Sequence, residues 1–400
     1  MKNNTKLHSA ALASAILILF IIIVSSTASA ASPKITETRI TFHKTASNPD
    51  IYGNNLVWQD NRNGNWDIYI YDLTTKKEIH TTNLANQTVP AIYGNKVVWE
   101  DERNGGHDVY MEDLSTKIQT RISKSGKAYN PAIYGNRIVW QDERNGKNNI
   151  YMYDISTKTE TQISTSGSAT KPDIYGNRIV FCDTDEYGEP NLAMYNISTH
   201  KEIIIGYTFL YMAAIYGDRI VIQTDPDNIA MYNLSTSTGT TIVPHDTEYD
   251  LAIYNDLVVY AYTDRQTIQE IDMYNVATQE ETKISKSETA NNPKVFGNRI
   301  VWQDWRNGGQ DIYMATILYP PVAAFTASPI SGKKLLNVKF TDKSTGSITS
   351  MSWNFGDKTT STLKSPVHKY TKAGKYTVSL TVKNAAGNNT KTMSNYITVK

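Results

Sequence analysis

The chain has 400 residues, a formal net charge of +1 and a single cysteine, which excludes a fold that depends on intramolecular disulfide bonds. The charge is unevenly spread: residues 31–318 hold 26 basic and 37 acidic side chains, whereas residues 319–400 hold 12 lysines, no arginine and 2 acidic side chains. The formal charges are therefore −11 and +10, and the acidic majority of the chain argues against nucleic acid as a partner.

Residues 1–30 have the pattern of a signal peptide. Lys2 and Lys6 precede an apolar run of 15 residues from Ala10 to Val24, and Ala28-Ser29-Ala30 has the small-x-small form of a signal-peptidase site. We therefore expect export to the extracellular side or the cell surface. The run is shorter than the roughly 20 residues that span a bilayer, and an uncleaved anchor that uses the flanking small residues is the alternative.

A short motif that first appears as Ile51-Tyr52-Gly53-Asn54 returns six more times. The spacings are 41, 41, 41, 41, 38 and 42 residues, and the later copies begin at Ile92, Ile133, Ile174, Ile215, Ile253 and Val295. A period near 40 with four strand-like runs per unit is typical of a β-propeller, in which each unit buries its faces against its neighbours. The sequence therefore predicts an all-β fold with seven blades in residues 31–318.

The third unit shows the pattern of one blade most clearly. Its Gly135-Asn136 pair tolerates positive φ and predicts a two-residue hairpin. Runs rich in β-branched and aromatic residues predict four strands, at 130–134, 137–142, 149–154 and 160–164.

The last unit lacks its fourth strand. It stops after Asp311–Ala315 and runs into Pro320-Pro321, whereas Glu37–Thr41, near the start of the mature chain, matches the outer-strand sequence Gln119–Ser123. We predict that the N-terminal strand completes the seventh blade and thereby removes two open sheet edges.

The loop between the second and third strands repeats an Asp-x-Arg-Asn-Gly pattern in blades seven, one, two and three. The copies begin at Asp60, Asp101, Asp142 and Asp304. Repetition favours a structural turn, because a catalytic residue is normally needed once. In this turn we expect the aspartate to accept backbone N–H groups and the arginine to pair with the adjacent blade.

Blades four to six break that pattern and carry aromatic side chains beside carboxylates. Such loops suit stacking on a sugar ring with hydrogen bonds to its hydroxyls, and the candidate ligand-binding residues are Tyr187, Tyr207, Phe209, Tyr211, His245 and Tyr249. The alternative is repeat decay, in which large side chains refill the core of a degenerate blade.

The sequence predicts no cofactor, no metal and no catalytic residue. Asp183, Asp185 and Gly188 resemble the start of a calcium loop, but Met194 occupies the place of the later glutamate ligand. We expect Cys182 to be a buried packing thiol rather than a nucleophile, because no histidine recurs near it in the repeat.

Four Asn-x-Ser/Thr sequons are candidate glycosylation sites, as in a surface glycoprotein. They lie at Asn86, Asn196, Asn233 and Asn388. Sequons this short also arise by chance in a chain rich in Asn, Ser and Thr.

Residues 319–400 abandon the 41-residue period. Their alternating runs, among them Trp353-Asn354-Phe355-Gly356-Asp357 and Gly374–Val382, predict a small β-sandwich. This segment closely resembles the PKD domain, an immunoglobulin-like module of extracellular proteins. Lys358 stands where that family usually has glycine.

The repeats in turn look like the TolB-type propeller repeat, with a Pro-x-Ile strand, a hairpin, an Ile-Val-Trp strand and an Ile-Tyr-Met-Tyr-Asp strand. Propellers of this kind joined to PKD domains resemble the cell-surface, S-layer-associated proteins of methanogenic archaea. The resemblance implies a structural or adhesive role, and it is specific for architecture rather than for activity.

Three classes of function follow. A structural or adhesive surface protein is favoured, with cell-wall polysaccharide or other surface proteins as partners, or with self-association of the acidic propeller and the basic PKD domain. A carbohydrate-binding protein is the second class. The third is a lyase or glycosidase, for which the only candidate groups are Asp183, Asp185, His245 and Asp246.

Overall fold

The computed structural model describes residues 32–81, 83–184, 187–206, 212–224, 228–244, 247–263 and 269–400, without side chains at 247–249 and 263. Contacts divide these residues into two compact units that meet in sequence between Leu318 and Tyr319. The regular elements of the described chain are strands, and no helix in it is long and apolar enough to cross a membrane.

The first unit consists of seven four-stranded antiparallel sheets, the blades of a β-propeller, and the strands of each blade are given from inner to outer. Blade 1 contains β2 (Ala46–Tyr52), β3 (Asn55–Asp60), β4 (Asp67–Asp72) and β5 (Lys77–His80), and blade 2 contains β6 (Gln87–Tyr93), β7 (Lys96–Asp101), β8 (Asp108–Asp113) and β9 (Ile118–Arg121). Blade 3 contains β10 (Ala128–Tyr134), β11 (Arg137–Asp142), β12 (Asn149–Asp154) and β13 (Thr159–Gln162), and blade 4 contains β14 (Thr170–Tyr175), β15 (Arg178–Thr184), β16 (Pro190–Asn196) and β17 (Lys201–Ile204).

Blades 5 to 7 follow the same plan, except that the outer strand of blade 7 comes from the start of the chain. Blade 5 contains β18 (Ala213–Tyr216), β19 (Arg219–Thr224), β20 (Asn228–Asn233) and β21 (Thr238–Val243). Blade 6 contains β22 (Thr247–Tyr254), β23 (Leu257–Thr263), β24 (Gln269–Asn275) and β25 (Glu280–Lys283). Blade 7 contains β26 (Ala290–Phe296), β27 (Arg299–Asp304), β28 (Asp311–Leu318) and β1 (Lys34–Arg39). The prediction of seven blades is confirmed.

Strand β1 closes the ring, as the sequence predicted. It pairs antiparallel with β28 over six residues, from Lys34 opposite Leu318 to Arg39 opposite Tyr313. The pairing gives the edge of β28 a backbone partner and so removes an exposed edge that would invite aggregation.

The core lies between neighbouring blades. The second strand of each blade is buried on both faces, and Trp140 of β11, for example, is fully buried against Val98 and Met111 of blade 2. Each blade therefore gains most of its apolar burial from its neighbours rather than from itself, which is why the repeat must form a closed ring.

The second unit is a sandwich of two sheets. The three-stranded sheet contains β29 (Phe325–Ser328), β31 (Leu336–Asp342) and β34 (Val367–Tyr370), and the five-stranded sheet contains β30 (Ser331–Gly332), β36 (Gly387–Val399), β35 (Gly374–Asn384), β32 (Ser350–Asn354) and β33 (Thr360–Ser361). Trp353, Phe340 and Tyr370 are fully buried between the sheets. Lys358 takes a φ of 72°, the left-handed conformation that glycine adopts most readily.

Candidate functional site

The seven inner strands of the propeller enclose a central cavity of about 460 Å³. Inner-strand positions two residues apart provide three successive layers, because side chains alternate between the two faces of a strand. We call these layers the mouth, the charged layer and the aromatic collar.

The charged layer lies at the variable position of the Pro-x-Ile motif. Four of its seven residues are alanines, which leave space on the axis, and three are charged. In chain order the layer is Asp50, Ala91, Ala132, Asp173, Ala214, Ala252 and Lys294.

Backbone amides hold both carboxylates of this layer in place. The Oδ1 atom of Asp50 accepts the N–H of Ile51 at 2.8 Å, and its Oδ2 atom accepts the N–H of Ile92, in the next blade, at 2.8 Å. Asp173 repeats the arrangement with Ile174 at 2.8 Å and Ile215 at 2.9 Å. Each carboxylate therefore joins two blades and points in a fixed direction.

Both aspartates of the charged layer have pKa values above the ordinary value for aspartate. Burial raises the pKa of Asp50 to about 6, although Lys294 and the two amide hydrogen bonds lower it. Burial also raises the pKa of Asp173, against the same kinds of opposing effects. Within the described part of the chain, the Lys294 ammonium has no hydrogen bond or ion pair of its own.

The Asp50→Asn variant tests this description through the pH dependence of stability. An aspartate with a folded-state pKa near 6 binds a proton more tightly than in the unfolded chain, so Asp50 should add about 2 kcal/mol to the stability of the wild-type protein as the pH falls from 6 to 4. The variant should lack that gain, whatever its stability at pH 7. Urea unfolding at four pH values measures the slope, and parallel profiles for the two proteins would contradict the raised pKa.

The mouth consists of Asn48, Val89, Asn130, Lys171, Met212, Asp250 and Asn292. Five of these seven residues, all except Met212 and Asp250, lie at β-bulges and have positive φ. A side chain of the preceding blade binds the amide of several of them: Glu100 accepts the N–H of Asn130 at 2.7 Å, and Gln303 accepts that of Asn48 at 2.8 Å. These bonds between blades hold the rim of the cavity in one shape.

Cys182, in blade 4, occupies the strand position that Glu100 and Gln303 have in their own blades. Its side chain is buried, and burial raises the pKa of the thiol to about 11. A thiol with that pKa holds almost no thiolate at neutral pH, which fits the expected packing role.

The aromatic collar surrounds the other end of the cavity. Its seven rings are spaced by 4.5–4.9 Å between centroids, are tilted by 46–53°, and belong to Tyr52, Tyr93, Tyr134, Tyr175, Tyr216, Tyr254 and Phe296. Burial, followed by interaction with neighbouring tyrosine hydroxyls, raises the pKa of Tyr93 and Tyr216. The collar narrows the channel on the side of the Gly-Asn hairpins.

Most of the ligand-binding residues proposed from the sequence lie outside the described structure. These are Tyr207, Phe209, Tyr211 and His245, together with the side chain of Tyr249. Tyr187 is described and is 83% exposed in the turn between β15 and β16. The aromatic patch of blades four to six therefore stays a prediction.

The calcium-like segment is only partly described. The Oδ1 atom of Asp183 accepts the hydroxyl of Ser168 at 2.5 Å and the N–H of Thr184 at 2.8 Å, whereas Asp185 lies outside the described residues. No group of three metal-ligating side chains occurs among the residues that the structure describes.

The Asp-x-Arg-Asn-Gly loops are structural turns with one difference from expectation. The Arg144 guanidinium lies 3.8 Å from the ring centroid of Tyr151 and forms ion pairs with Asp142 at 2.7 Å and Glu160 at 2.6 Å. All of these residues belong to blade 3, so the expected pairing with the adjacent blade was wrong. The reason is that the tight turn folds the arginine back over the third strand of its own blade.

A different arginine joins the blades. Arg137, the first residue of β11, donates from Nη1 to the Gly176 carbonyl at 3.1 Å and to Asn177 Oδ1 at 2.7 Å in blade 4. The equivalent contact recurs at Arg178, Arg219 and Arg299.

The four sequons differ in their surroundings. Asn388 is exposed, whereas the Asn86 side chain donates to Glu102 at 2.9 Å and accepts the N–H of Trp66 at 3.2 Å. Asn196 and Asn233 are half-buried and accept backbone N–H groups within their own turns. Glycosylation stays a prediction at all four sites.

The lysines of the second unit form its most distinctive surface. All twelve are exposed, and none forms an ion pair with a described residue. Of the two acidic residues, Asp357 is 2.7 Å from Nε2 of His368, and burial is outweighed by hydrogen bonds from Thr359 and His368 that lower its pKa. The PKD unit therefore presents its positive charge to solvent with little internal compensation.

Comparison with known proteins separates the two units. Residues 319–399 match the PKD domain family. A 60-residue stretch is 47% identical to collagenase ColA of Bacillus cereus, and the match covers 15% of this chain and 6% of the collagenase. Because the match covers such a small part of the collagenase, it does not extend the activity of the whole collagenase to this chain.

Solved propellers share the fold of the first unit at low sequence identity. The β-propeller domain of the trilobed protease from Pyrococcus furiosus is 14% identical, with a TM-score of 0.56, and the match covers 69% of this chain and 94% of that domain. An oligogalacturonate lyase from Vibrio parahaemolyticus is also 14% identical, with a TM-score of 0.56 over 71% of this chain and 97% of the lyase. The archaeal domain is described as having an open velcro topology, whereas β1 closes the ring here. The chain is thus a seven-bladed β-propeller followed by a PKD domain.

Proposed function

We propose that this protein is exported to the cell surface and has a structural or adhesive role there, in which the PKD domain binds an anionic cell-wall polysaccharide or an acidic surface of another protein. The signal-like residues 1–30, the PKD domain and the resemblance of the repeats to archaeal surface proteins support this proposal.

The observation that carries the proposal is the set of twelve exposed lysines, whose side chains form no ion pair with any described residue. A domain that needs charge only for solubility gains more from a mixture of signs than from twelve cations against two carboxylates. Lysine acts as a mobile point charge, whereas arginine binds carboxylates in a fixed bidentate geometry. The absence of arginine from residues 319–400 therefore favours a flexible polyanion over one defined carboxylate.

The acidic propeller supplies the second partner in this proposal. The propeller has a formal charge of −11 and the PKD domain a formal charge of +10. Two copies of the chain therefore attract each other when the propeller of one approaches the PKD domain of the other. Such contacts would build an assembly at the cell surface without a dedicated interface.

Cosedimentation of the mature chain with insoluble polygalacturonate tests the polyanion arm. We expect binding to weaken at least about tenfold as salt rises from 0.05 to 0.5 M, because the Debye length falls from about 14 Å to about 4 Å and the release of counterions into a more concentrated salt solution gains less entropy. A PKD variant with Lys339, Lys369, Lys375 and Lys383 changed to glutamine should bind at least several-fold more weakly.

The matched control removes the same charge from the propeller, at the exposed Lys77, Lys124, Lys147 and Lys201. That variant should bind polygalacturonate as well as the parent does. Binding that ignores salt, or that falls equally in both variants, would reject the PKD domain as the binding element. Release of unsaturated or reducing sugars from the same polymer would instead favour the alternative function, a lyase or glycosidase.

A further inference from the structure

We propose that the central cavity of the propeller binds a single uncharged saccharide residue, such as a terminal hexose of a glycan, which enters through the mouth and lies against the charged layer. This site is separate from the PKD lysines and does not depend on polyanion binding.

The cavity has the size of a small-molecule site. Its volume of about 460 Å³ falls within the about 300–1,000 Å³ that is typical of ligand pockets. Alanine at four of the seven charged-layer positions creates this space. Larger side chains at those positions would fill the axis of the ring.

The charged layer offers hydrogen-bonding capacity that the described protein leaves unused. The Lys294 ammonium has three donors and no hydrogen-bond partner among the described residues. Each oxygen of Asp50 and Asp173 accepts one backbone amide and has a further lone pair. Because the amides fix the carboxylates, a ligand would meet acceptors that are already oriented.

The mixture of signs selects the class of ligand. A cation is repelled by Lys294, and an anion is repelled by Asp50 and Asp173, so a ligand with a net charge of either sign meets a repulsive group beside an attractive one. A hydroxyl group both donates and accepts, and can therefore bind the carboxylates and the ammonium alike. An uncharged polyol with several hydroxyls satisfies all three groups.

The ends of the cavity indicate how such a ligand would bind. At the mouth, Asn292 Nδ2 donates to Asn48 Oδ1 at 2.8 Å, and the bulges are held by side chains of neighbouring blades, so the opening keeps its shape. At the other end, the aromatic collar narrows the channel. This geometry suits the end of a glycan rather than a chain that passes through the ring.

Isothermal titration calorimetry on the mature chain tests the site. The probes are glucose, galactose, mannose and N-acetylglucosamine, together with galacturonate, glucosamine and glycine as charged or zwitterionic comparisons. We expect at least one uncharged sugar to bind one-to-one with a Kd in the millimolar range or tighter, and at least about tenfold more tightly than each comparison.

Two kinds of variant place the binding in the cavity. Lys294→Met removes the donor together with a charge that favours the ionised form of Asp50, and Ala91→Leu with Ala132→Leu fills the space without removing a polar group. Each should weaken binding at least about tenfold, and the double leucine variant should do so while its melting temperature stays near that of the parent. Lys77→Gln on β5 and the PKD lysine variant should bind the sugar normally.

The proposal is wrong if none of the four uncharged sugars binds, if galacturonate, glucosamine or glycine binds more tightly than they do, or if the filled variant binds as the parent does. None of these results bears on salt-dependent binding to polygalacturonate, so the two proposals fail separately.

Discussion

Deleting residues 33–41 should leave the propeller aggregated or destabilised by at least about 3 kcal/mol, because this segment supplies the outer strand of blade 7. The deletion strips β28 of its backbone partner from Tyr313 to Leu318. It also removes Ile35 and Ile40, which pack against the clusters on either side of the blade. The exposed edge would then be a template for pairing with other chains.

Thermal unfolding and light scattering of the truncated chain measure the effect. A synthetic peptide of residues 33–41 provides the control, since the same sequence supplied in trans should restore the melting temperature toward that of the parent. A truncated protein that melts as the parent does, without aggregation, would show that β1 is dispensable for closure.

The repeat made the fold predictable. Six blades carry a Gly-Asn or Gly-Asp hairpin signal, blade 6 carries Asn255-Asp256 at the same place, and so seven weak indications agree on one architecture. For blade 3 the predicted strands fall within two residues of β10, β11, β12 and β13. The closing strand was predictable because its sequence matches the outer strands of other blades.

The charged layer was not predicted, although its position was visible in the sequence. Lys294 stands more than 200 residues from Asp50, and only ring closure brings both side chains to one layer. In a single repeat, the variable position of Pro-x-Ile looks like an unconstrained residue. Comparing that position across all seven repeats would have revealed four alanines and three charges.

The loop motif shows the limit of reading geometry from residue types. The aspartate and arginine of the Asp-x-Arg-Asn-Gly turn were correctly interpreted as structural, but the partner of the arginine was wrong. Sequence alone does not say whether a long side chain folds back on its own blade or reaches the next one. Stacking on Tyr151 and a second carboxylate on β13 fix Arg144 in blade 3.

Asp142→Ala should lower the free energy of unfolding by about 3–5 kcal/mol, because it removes a buried carboxylate whose two oxygens both accept hydrogen bonds. Asp142 is completely buried; its Oδ2 accepts the indole N–H of Trp140 at 3.0 Å and the Arg144 guanidinium at 2.7 Å, and its Oδ1 accepts the backbone N–H of Arg144 at 2.9 Å. Alanine would leave a buried indole N–H and part of a guanidinium without an acceptor. Urea unfolding at pH 7 measures the loss.

Glu160→Ala is the matched control, because it removes the other carboxylate that binds the same arginine. Glu160 is exposed by about a third, so its ion pair with Arg144 should contribute no more than about 1 kcal/mol.

The acid sensitivity of stability provides a second measurement. Burial alone would raise the pKa of Asp142, but hydrogen bonds from Arg144 and Trp140 lower it below the ordinary value. The stability that the ionised carboxylate provides is therefore present above about pH 4 and lost as the pH falls through the lower, folded-state pKa. Asp142→Ala should therefore be less sensitive than the parent to acid below pH 4. Equal losses in the two variants at pH 7 would show that the loop gains no more from its buried aspartate than from a surface ion pair.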